Sequence, residues 1–251
     1  MTSALRDRWV LILGASSGMG RAIAVACARQ GAHVLGVHLD GAATRPRVDE
    51  LLDTLRGTGV KAELFNANAA RHATRTRLVE QIAGYGGEDG VALVVHSLAF
   101  GALGPYLSES EEPAITPQQM DMTLNVMAHS LVYWSQDLHR AGQLRPGARI
   151  MALTSAGGTR VQHAYGAVSA AKAALESHVR QLALEFAPHR VAVNALRAGV
   201  TLTPALERIP GHEGFVSRAL ESNPHNRLTT VEDVAEAALM LSEGGTWVTG
   251  N

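Results

Sequence analysis

The sequence predicts a single α/β domain built on a doubly wound parallel sheet. Two observations carry that expectation. Six short apolar runs rich in Val, Ile and Leu alternate with longer stretches of helical period, the pattern of successive βαβ units whose strands are buried on both faces. No linker, internal repeat or low-complexity tract divides the 251 residues, so one domain is the simplest organisation.

The elements follow in order. WVLILG at 9–14 is the first strand and leads into a helix at 19–30. HVLGVH at 33–38 is the second, followed by a helix at 47–56, and AELFNA at 62–67 is the third, followed by a helix at 74–83. After the fourth strand, ALVVHS at 92–97, the acids, Pro and Ser of 101–117 show weak periodicity and read as a loop before a long helix at 117–139. RIMALTS at 149–155 and VAVNALR at 191–197 complete the sheet, flanking a helix at 164–186. A second weakly periodic stretch at 203–228 reads as a loop over the sheet, ahead of a last helix at 230–241.

Composition excludes several classes of function. Apolar residues make up 46% and charged residues 18%, with a formal net charge of -1 and the basic residues scattered. Neither a nucleic-acid footprint nor an anionic-membrane patch is expected, so the partner is a small molecule or a carrier. Cys27 is the one cysteine; it excludes an internal disulfide framework, fits a reducing compartment, and reads as a buried structural residue. No run approaches the ~18 apolar residues of a membrane span. The start, MTSALRDRWVLIL, lacks a cleavage pattern, and a cytoplasmic location is expected. The 11 histidines include no pair flanked by acids at ligand spacing. His129, His139, His163 and His178 therefore read as surface or packing residues, and no metal is expected.

The chemistry begins at LGASSGMG. This segment follows an apolar strand and opens a helix, the context that a dinucleotide-binding turn requires. Gly14 permits the tight turn, and Gly18 and Gly20 let the backbone approach a pyrophosphate set against the positive end of the helix. Ser16 and Ser17 offer hydroxyl donors.

The G-x-x-x-G-x-G spacing resembles that of the short-chain dehydrogenase/reductase family, and further segments extend the resemblance over nearly the whole chain. It implies a Rossmann-type sheet and a nicotinamide dinucleotide held by Gly14, Ser16, Ser17, Gly18, Met19 and Gly20. Asn68 and Ala69 would follow after the third strand, Ser97 after the fourth, and Thr201 and Thr203 after the sixth. Where relatives place the acid that binds the adenosine ribose, this sequence has His38. A missing carboxylate there is compatible with NADPH, with NADH as the alternative. Asp40, Arg45 and Arg47 lie close by, and whether they touch the cofactor or are solvated loop residues stays open. Asn68 stands for the family's usual Asp and offers both a donor and an acceptor to the adenine edge. For Thr201 and Thr203, structural capping competes with contacts to the carboxamide and phosphate.

The catalytic spacing departs from the ordinary members of the family. Those have a Tyr one helical turn before the catalytic Lys, and here that position is Val168. The nearest Tyr is Tyr165, seven positions before Lys172, about two turns and so on the same helix face. That spacing resembles the enoyl-acyl carrier protein reductase branch, as do HSLAF at 96–100 and ALRAGVTLT at 195–203. Ser155 and Asn125 match the ordinary tetrad, which resembles the enoyl reductase subgroup that keeps more of the ordinary features. The resemblance implies that Tyr165 hydrogen-bonds the thioester oxygen, that Lys172 binds the nicotinamide ribose, and that Ser155 orients the carbonyl or Tyr165. A strand-end cap competes for Ser155 and a helix-backbone bond for Asn125. The implied substrate is an acyl thioester on acyl carrier protein or coenzyme A, in fatty acid or polyketide synthesis. The segment after Thr203 is expected to cover the acyl chain.

Relatives continue past a Thr-Gly pair into one more strand, whereas this sequence stops at WVTGN. A sheet without that strand is expected, and the family's homotetramer becomes a less secure expectation than a homo-oligomer of some kind. Two further readings are a carbonyl or enone reductase of a secondary pathway, and a dinucleotide-binding scaffold with a decayed site.

Overall fold

All six apolar runs form strands of one parallel sheet in the computed structural model, which describes residues 3–108, 113–244 and 247–251. The strands are β1 Trp9–Leu13, β2 His33–His38, β3 Ala62–Asn66, β4 Val91–His96, β5 Arg149–Ser155 and β6 Ala192–Ala198, in the order β3-β2-β1-β4-β5-β6. The order reverses between β1 and β4. A sheet wound in this way opens a crevice beyond the carboxyl ends of those strands, where the predicted site residues converge.

One face is covered by α1 Gly18–Arg29, α2 Arg45–Gly57 and α9 Val231–Glu243. Ile23, Leu51, Leu55 and Ala238 are fully buried against Val10, Ile12 and Leu93 there. The other face takes α3 His72–Gly86, α5 Ser130–Arg140 and α6 Gly166–Phe186, through Leu78, Ile82, Leu131, Trp134 and Leu175. Burying each such side chain contributes roughly 1.5–3 kcal/mol. Trp134 also donates from Nε1 to the Ala69 carbonyl at 2.9 Å, so the core of α5 anchors the loop after β3.

Three expectations are revised. The helix expected at 117–139 is α4 Pro117–Leu124 and α5, joined by a π-turn at Asn125–His129; a period count does not register one extra residue per turn. The helix expected from 164 begins at Gly166, because Ala164 has φ 58 and Tyr165 is the N-cap. The stretch 203–228 is not all loop, since it carries α7 Pro204–Glu207 and α8 His212–Ser222. Neither helix has a fully buried residue, which is why no apolar stripe marked them. Of the loop expected at 101–117, residues 109–112 lie outside the described residues, and the parts on either side are irregular.

Residues 248–251 run beside the outer edge of β6. Gly250 N donates to the Val193 carbonyl at 2.8 Å and Ala195 N to the Asn251 carbonyl at 2.6 Å. Asn194 Nδ2 donates to the Val248 carbonyl at 2.8 Å. The edge of β6 is thereby partly paired.

Candidate active site

The glycine turn is a cradle that side chains would fill. Gly14 has φ +90, and a Cβ there would lie 2.6 Å from the Ser97 carbonyl oxygen; a Cβ on Gly20 would run into the Gly14 carbonyl. Gly14 and Ala15 both donate to the Val37 carbonyl, at 2.8 and 3.1 Å, which holds the turn against β2. Ser17 is the N-cap of α1 but spends no side-chain bond on the helix, is exposed, and is followed by a first turn without an acid. The positive helix end is therefore free to take an anion. Met19 packs into the core beneath the turn, and the Ser97 hydroxyl lies against Gly20. The turn fits a dinucleotide pyrophosphate.

At the end of β2, His38 is buried and its Nδ1 lies 2.9 Å from Asp40 Oδ2. Asn66 clasps the Asp40 backbone from both sides, accepting from its N at 3.2 Å and donating to its carbonyl at 2.8 Å. Burial works to raise the Asp40 carboxyl, but hydrogen bonds from Ser16, Thr44 and His38 outweigh it and hold the group below the usual carboxylate range. Asp40 is thus brought to the glycine turn, while Arg45 and Arg47 are exposed at the start of α2. The sequence left Asp40 open because a residue count does not show a tether.

Asn68 Oδ1 accepts from Ala70 N at 2.9 Å, and its amide donors have no partner among the described residues. Thr201 is buried and donates to the Gly199 carbonyl at 3.0 Å. Thr203 caps α7, accepting from Leu206 N at 3.3 Å, and its methyl group faces Gly18. Thr203 makes the bond that capping predicts and also closes the loop after β6 onto the glycine turn, whereas Thr201 makes a bond within the turn and caps no helix.

The reacting end lies where β5, the head of α6 and the π-turn meet. Ser155 Oγ accepts from Gly157 N at 3.2 Å, so the strand-end cap is present. The Tyr165 ring lies over the same glycine: a Cβ on Gly157 would be 2.6 Å from Tyr165 Cε1 and 3.1 Å from Ser155 Oγ. Burial raises the Tyr165 hydroxyl, with Ser155 working in the opposite sense, so Tyr165 is a neutral phenol with a proton to donate. Its place as the cap of α6, rather than as a helical residue, results from the left-handed Ala164 before it. Val168, at the position of the ordinary Tyr, is buried with Met127 and Ala171, and Leu103, Leu124, Val126 and Tyr165 pack on that cluster. This is an apolar wall beside the phenol.

Lys172 is buried and donates from Nζ to the Leu153 carbonyl at 2.7 Å. Burial pulls its ammonium down to about 8, against the charge of Glu176. Glu176, one turn further along α6, accepts from Thr154 Oγ1 at 2.8 Å and from Arg197 at 3.2 Å. Asn125 opens the π-turn, is half-buried, and its side-chain amide has no hydrogen-bond partner among the described residues. The helix-backbone role therefore does not occupy it.

Sequence reasoning missed two residues at this end. Tyr106, in the loop before α4, lays its ring on Gly166, with the hydroxyl 2.9 Å from where a Cβ would be; only the turn signal of GPY hinted that this loop folds back. His96 was quoted inside HSLAF without a role. It is fully buried at the end of β4, with Nε2 2.8 Å from Ser130 Oγ. Of the other histidines, His129 and His178 face one another at 3.0 Å, His139 packs edge-on against Phe186, and His163 is exposed. No described helix is long and apolar enough to cross a membrane.

Known proteins resemble the chain over nearly its full length. A family model described as enoyl-(acyl carrier protein) reductase matches residues 14–251. The 1-cyclohexenylcarbonyl-CoA reductase of Streptomyces collinus is 28% identical over 245 residues, covering 96% of this chain and 82% of that protein. The cyclohexanol dehydrogenase of Rhodococcus sp. (strain TK6) is 29% identical over 260 residues, covering 98% and 93%. A short chain dehydrogenase from Burkholderia cenocepacia J2315, solved in complex with NADP, superposes with a TM-score of 0.84 at 25% identity, covering 98% of this chain and 95% of that one.

Proposed function

This chain belongs to the short-chain dehydrogenase/reductase family of NAD(P)-dependent oxidoreductases, and from that premise we propose that it reduces the carbon–carbon double bond of a trans-2-enoyl thioester. The observation that carries the reading is the placement of Tyr165. Val168, where an ordinary member would have its phenol, is walled into an apolar cluster, so the hydroxyl that faces the Ser155 turn belongs to the residue seven positions before Lys172. The similarity to a reductase named for an unsaturated acyl-CoA supports the same chemistry.

The glycine turn, Ser17 and Thr203 would hold the dinucleotide, and Lys172 would bind its nicotinamide ribose. The chemistry supplied by the bound dinucleotide is a hydride, delivered to the β-carbon. Tyr165 donates a hydrogen bond to the thioester oxygen and stabilises the enolate charge that develops there. Lys172 adds a positive charge close to that oxygen, and Ser155 steers the phenol. The enolate collapses back to the thioester as the α-carbon takes a proton from solvent, so that one hydride and one proton are added across the double bond. The wall of Leu103, Leu124, Met127 and Val168 excludes water and receives the start of the acyl chain. The thioester is carried on acyl carrier protein or coenzyme A. The protein works in the cytoplasm as a homo-oligomer, in fatty acid or polyketide synthesis.

Both cofactors are in play, because Asp40 beside Ser16 suits an unphosphorylated ribose and the exposed Arg45 and Arg47 suit a 2′-phosphate. A second reading, reduction of a ketone, is favoured by the Ser155–Tyr165 proximity and by the cyclohexanol dehydrogenase similarity. Assays with crotonyl and acetoacetyl thioesters, each with NADPH and NADH, separate the two. Oxidation of the cofactor with the crotonyl thioester and none with the acetoacetyl is expected. Turnover of the ketone alone would replace this reading by the second, and cofactor binding without turnover of any substrate would leave only a binding protein.

A further inference from the structure

We propose that His96 is a positioning residue for Lys172, joined to it by one buried water that accepts a hydrogen bond from the ammonium and donates one to His96 Nδ1. The inference rests on the reading that Lys172 holds the cofactor ribose. It starts from an accounting of protons at the end of β4. Ser130 Oγ lies 2.8 Å from the Val126 carbonyl, to which it gives its one proton. Its lone pairs are left to accept, and His96 Nε2 at 2.8 Å is the donor that they meet. The neutral imidazole therefore carries its proton on Nε2, and Nδ1 is an acceptor.

That acceptor has no hydrogen-bond partner among the described residues, on a side chain with no exposed surface. A buried acceptor left unmatched is strongly disfavoured, and buried water is the usual partner where protein groups do not reach. Among the described residues the other unmatched buried side-chain atoms belong to Arg8, Gln143 and Arg149, before or at the amino ends of β1 and β5 and away from the crevice. His96 is the one at the carboxyl ends of the strands.

Lys172 is the group that completes the accounting. Its ammonium has three hydrogens, and one goes to the Leu153 carbonyl. His96 of β4 pairs in register with Ala152, the residue before the Leu153 carbonyl that Nζ reaches, and its imidazole is coupled in charge to the ammonium; Glu176 lies on the same helix, Tyr165 stands seven positions earlier at the helix head, and Arg197 of β6 is held by Glu176. Glu176 is engaged by Thr154 and Arg197, and Tyr165 by Ser155. His96 keeps an open lone pair. Burial, reinforced by the charge of Lys172 and opposed by its own backbone carbonyl, pushes the imidazole down to about 3. At neutral pH it is a fixed acceptor and not a base. The resulting line, from Lys172 through water, His96 and Ser130 to the Val126 carbonyl, ties the ammonium to the π-turn that also presents Asn125.

The test measures NAD(P)H affinity by nucleotide fluorescence as a function of pH on the whole protein, with no enoyl substrate, so that it stands apart from the reaction assigned above. Affinity should decline along an alkaline limb near 8 as Lys172 loses its charge. His96→Phe should move the midpoint of that limb to lower pH by about half to one unit, the effect of one lost polar partner on a buried ammonium. His96→Gln, with an amide oxygen to accept and an NH2 to donate to Ser130, should restore the midpoint. An unmoved midpoint in folded His96→Phe, with the limb abolished in Lys172→Met, would overturn the role of His96 alone. A limb that survives Lys172→Met would overturn the cofactor role of Lys172 and this inference with it. Nitrogen-15 NMR of the wild-type imidazole gives a reading independent of variant folding: a ring protonated on Nε2 supports the line, and one protonated on Nδ1 overturns it.

Discussion

Replacing Tyr165 with Phe should lower kcat for an enoyl thioester by about 100- to 1,000-fold, the usual effect of removing one donor to a developing oxyanion, while NAD(P)H affinity is unchanged. The asymmetry follows from where the hydroxyl sits. The Tyr165 ring lies against Gly157 and beside the apolar cluster of Met127 and Val168, so Phe keeps the packing and the helix cap and loses one proton donor. Burial raises the hydroxyl above the ordinary tyrosine value, so the wild-type donor stays protonated through the neutral range and catalysis should not fall on its account below pH 10. Stopped-flow measurement of cofactor oxidation, paired with fluorescence titration of the cofactor, checks both halves. A matching loss of cofactor affinity would place Tyr165 in binding rather than in chemistry.

Replacing Lys172 with Met should have the complementary effect. Met preserves much of the stem's volume and removes the charge and its donors. Charged hydrogen bonds contribute roughly 1.5–3 kcal/mol, so the KM for the cofactor should rise by about 10- to 100-fold. The sign of the pH dependence is fixed by the direction of the shift. Burial lowers the Lys172 ammonium to about 8, with Glu176 opposing, so its contribution to cofactor binding is complete below that pH and is lost as pH rises through it. The steady-state KM for NAD(P)H between pH 6 and 10 tests this; in Lys172→Met the alkaline rise should be absent, and a rise that persists would assign the titration to another group.

How much of this was legible in the sequence depended on the kind of interaction involved. The strands were, because sequences such as VLIL and ALVVH are buried on both faces and their apolar content has no other use. The glycine turn was, because positive φ at Gly14 and the contact of Gly20 with the Gly14 carbonyl admit no side chain. Helix α8 was not, because it packs none of its residues fully into the core. The π-turn at Asn125–His129 was not, because one extra residue leaves no mark in a pattern of Leu, Val and Met. Tyr165 was singled out by its spacing to Lys172, with a shared helix face as the reason, whereas the structure sets Tyr165 just ahead of the helix behind a left-handed Ala164. His96 and Asp40 gained their meaning only from partners distant in sequence or from a tether: Ser130 and Lys172 for the one, Ser16 and His38 for the other. Periodicity reports burial, and it does not report which buried atom lacks a partner.

The central claim, that hydride is added to the β-carbon of an enoyl thioester at the Tyr165–Lys172 pair, is tested most directly by tracing the hydride. The whole protein would be incubated with crotonyl thioester and with acetoacetyl thioester, each with NAD(P)H deuterated at the transferable C4 position, and the products analysed by NMR and mass spectrometry. The account predicts a saturated butyryl thioester carrying deuterium at C3, with no 3-hydroxybutyryl product. A 3-hydroxybutyryl thioester deuterated at C3, formed while the crotonyl thioester is left untouched, would contradict it.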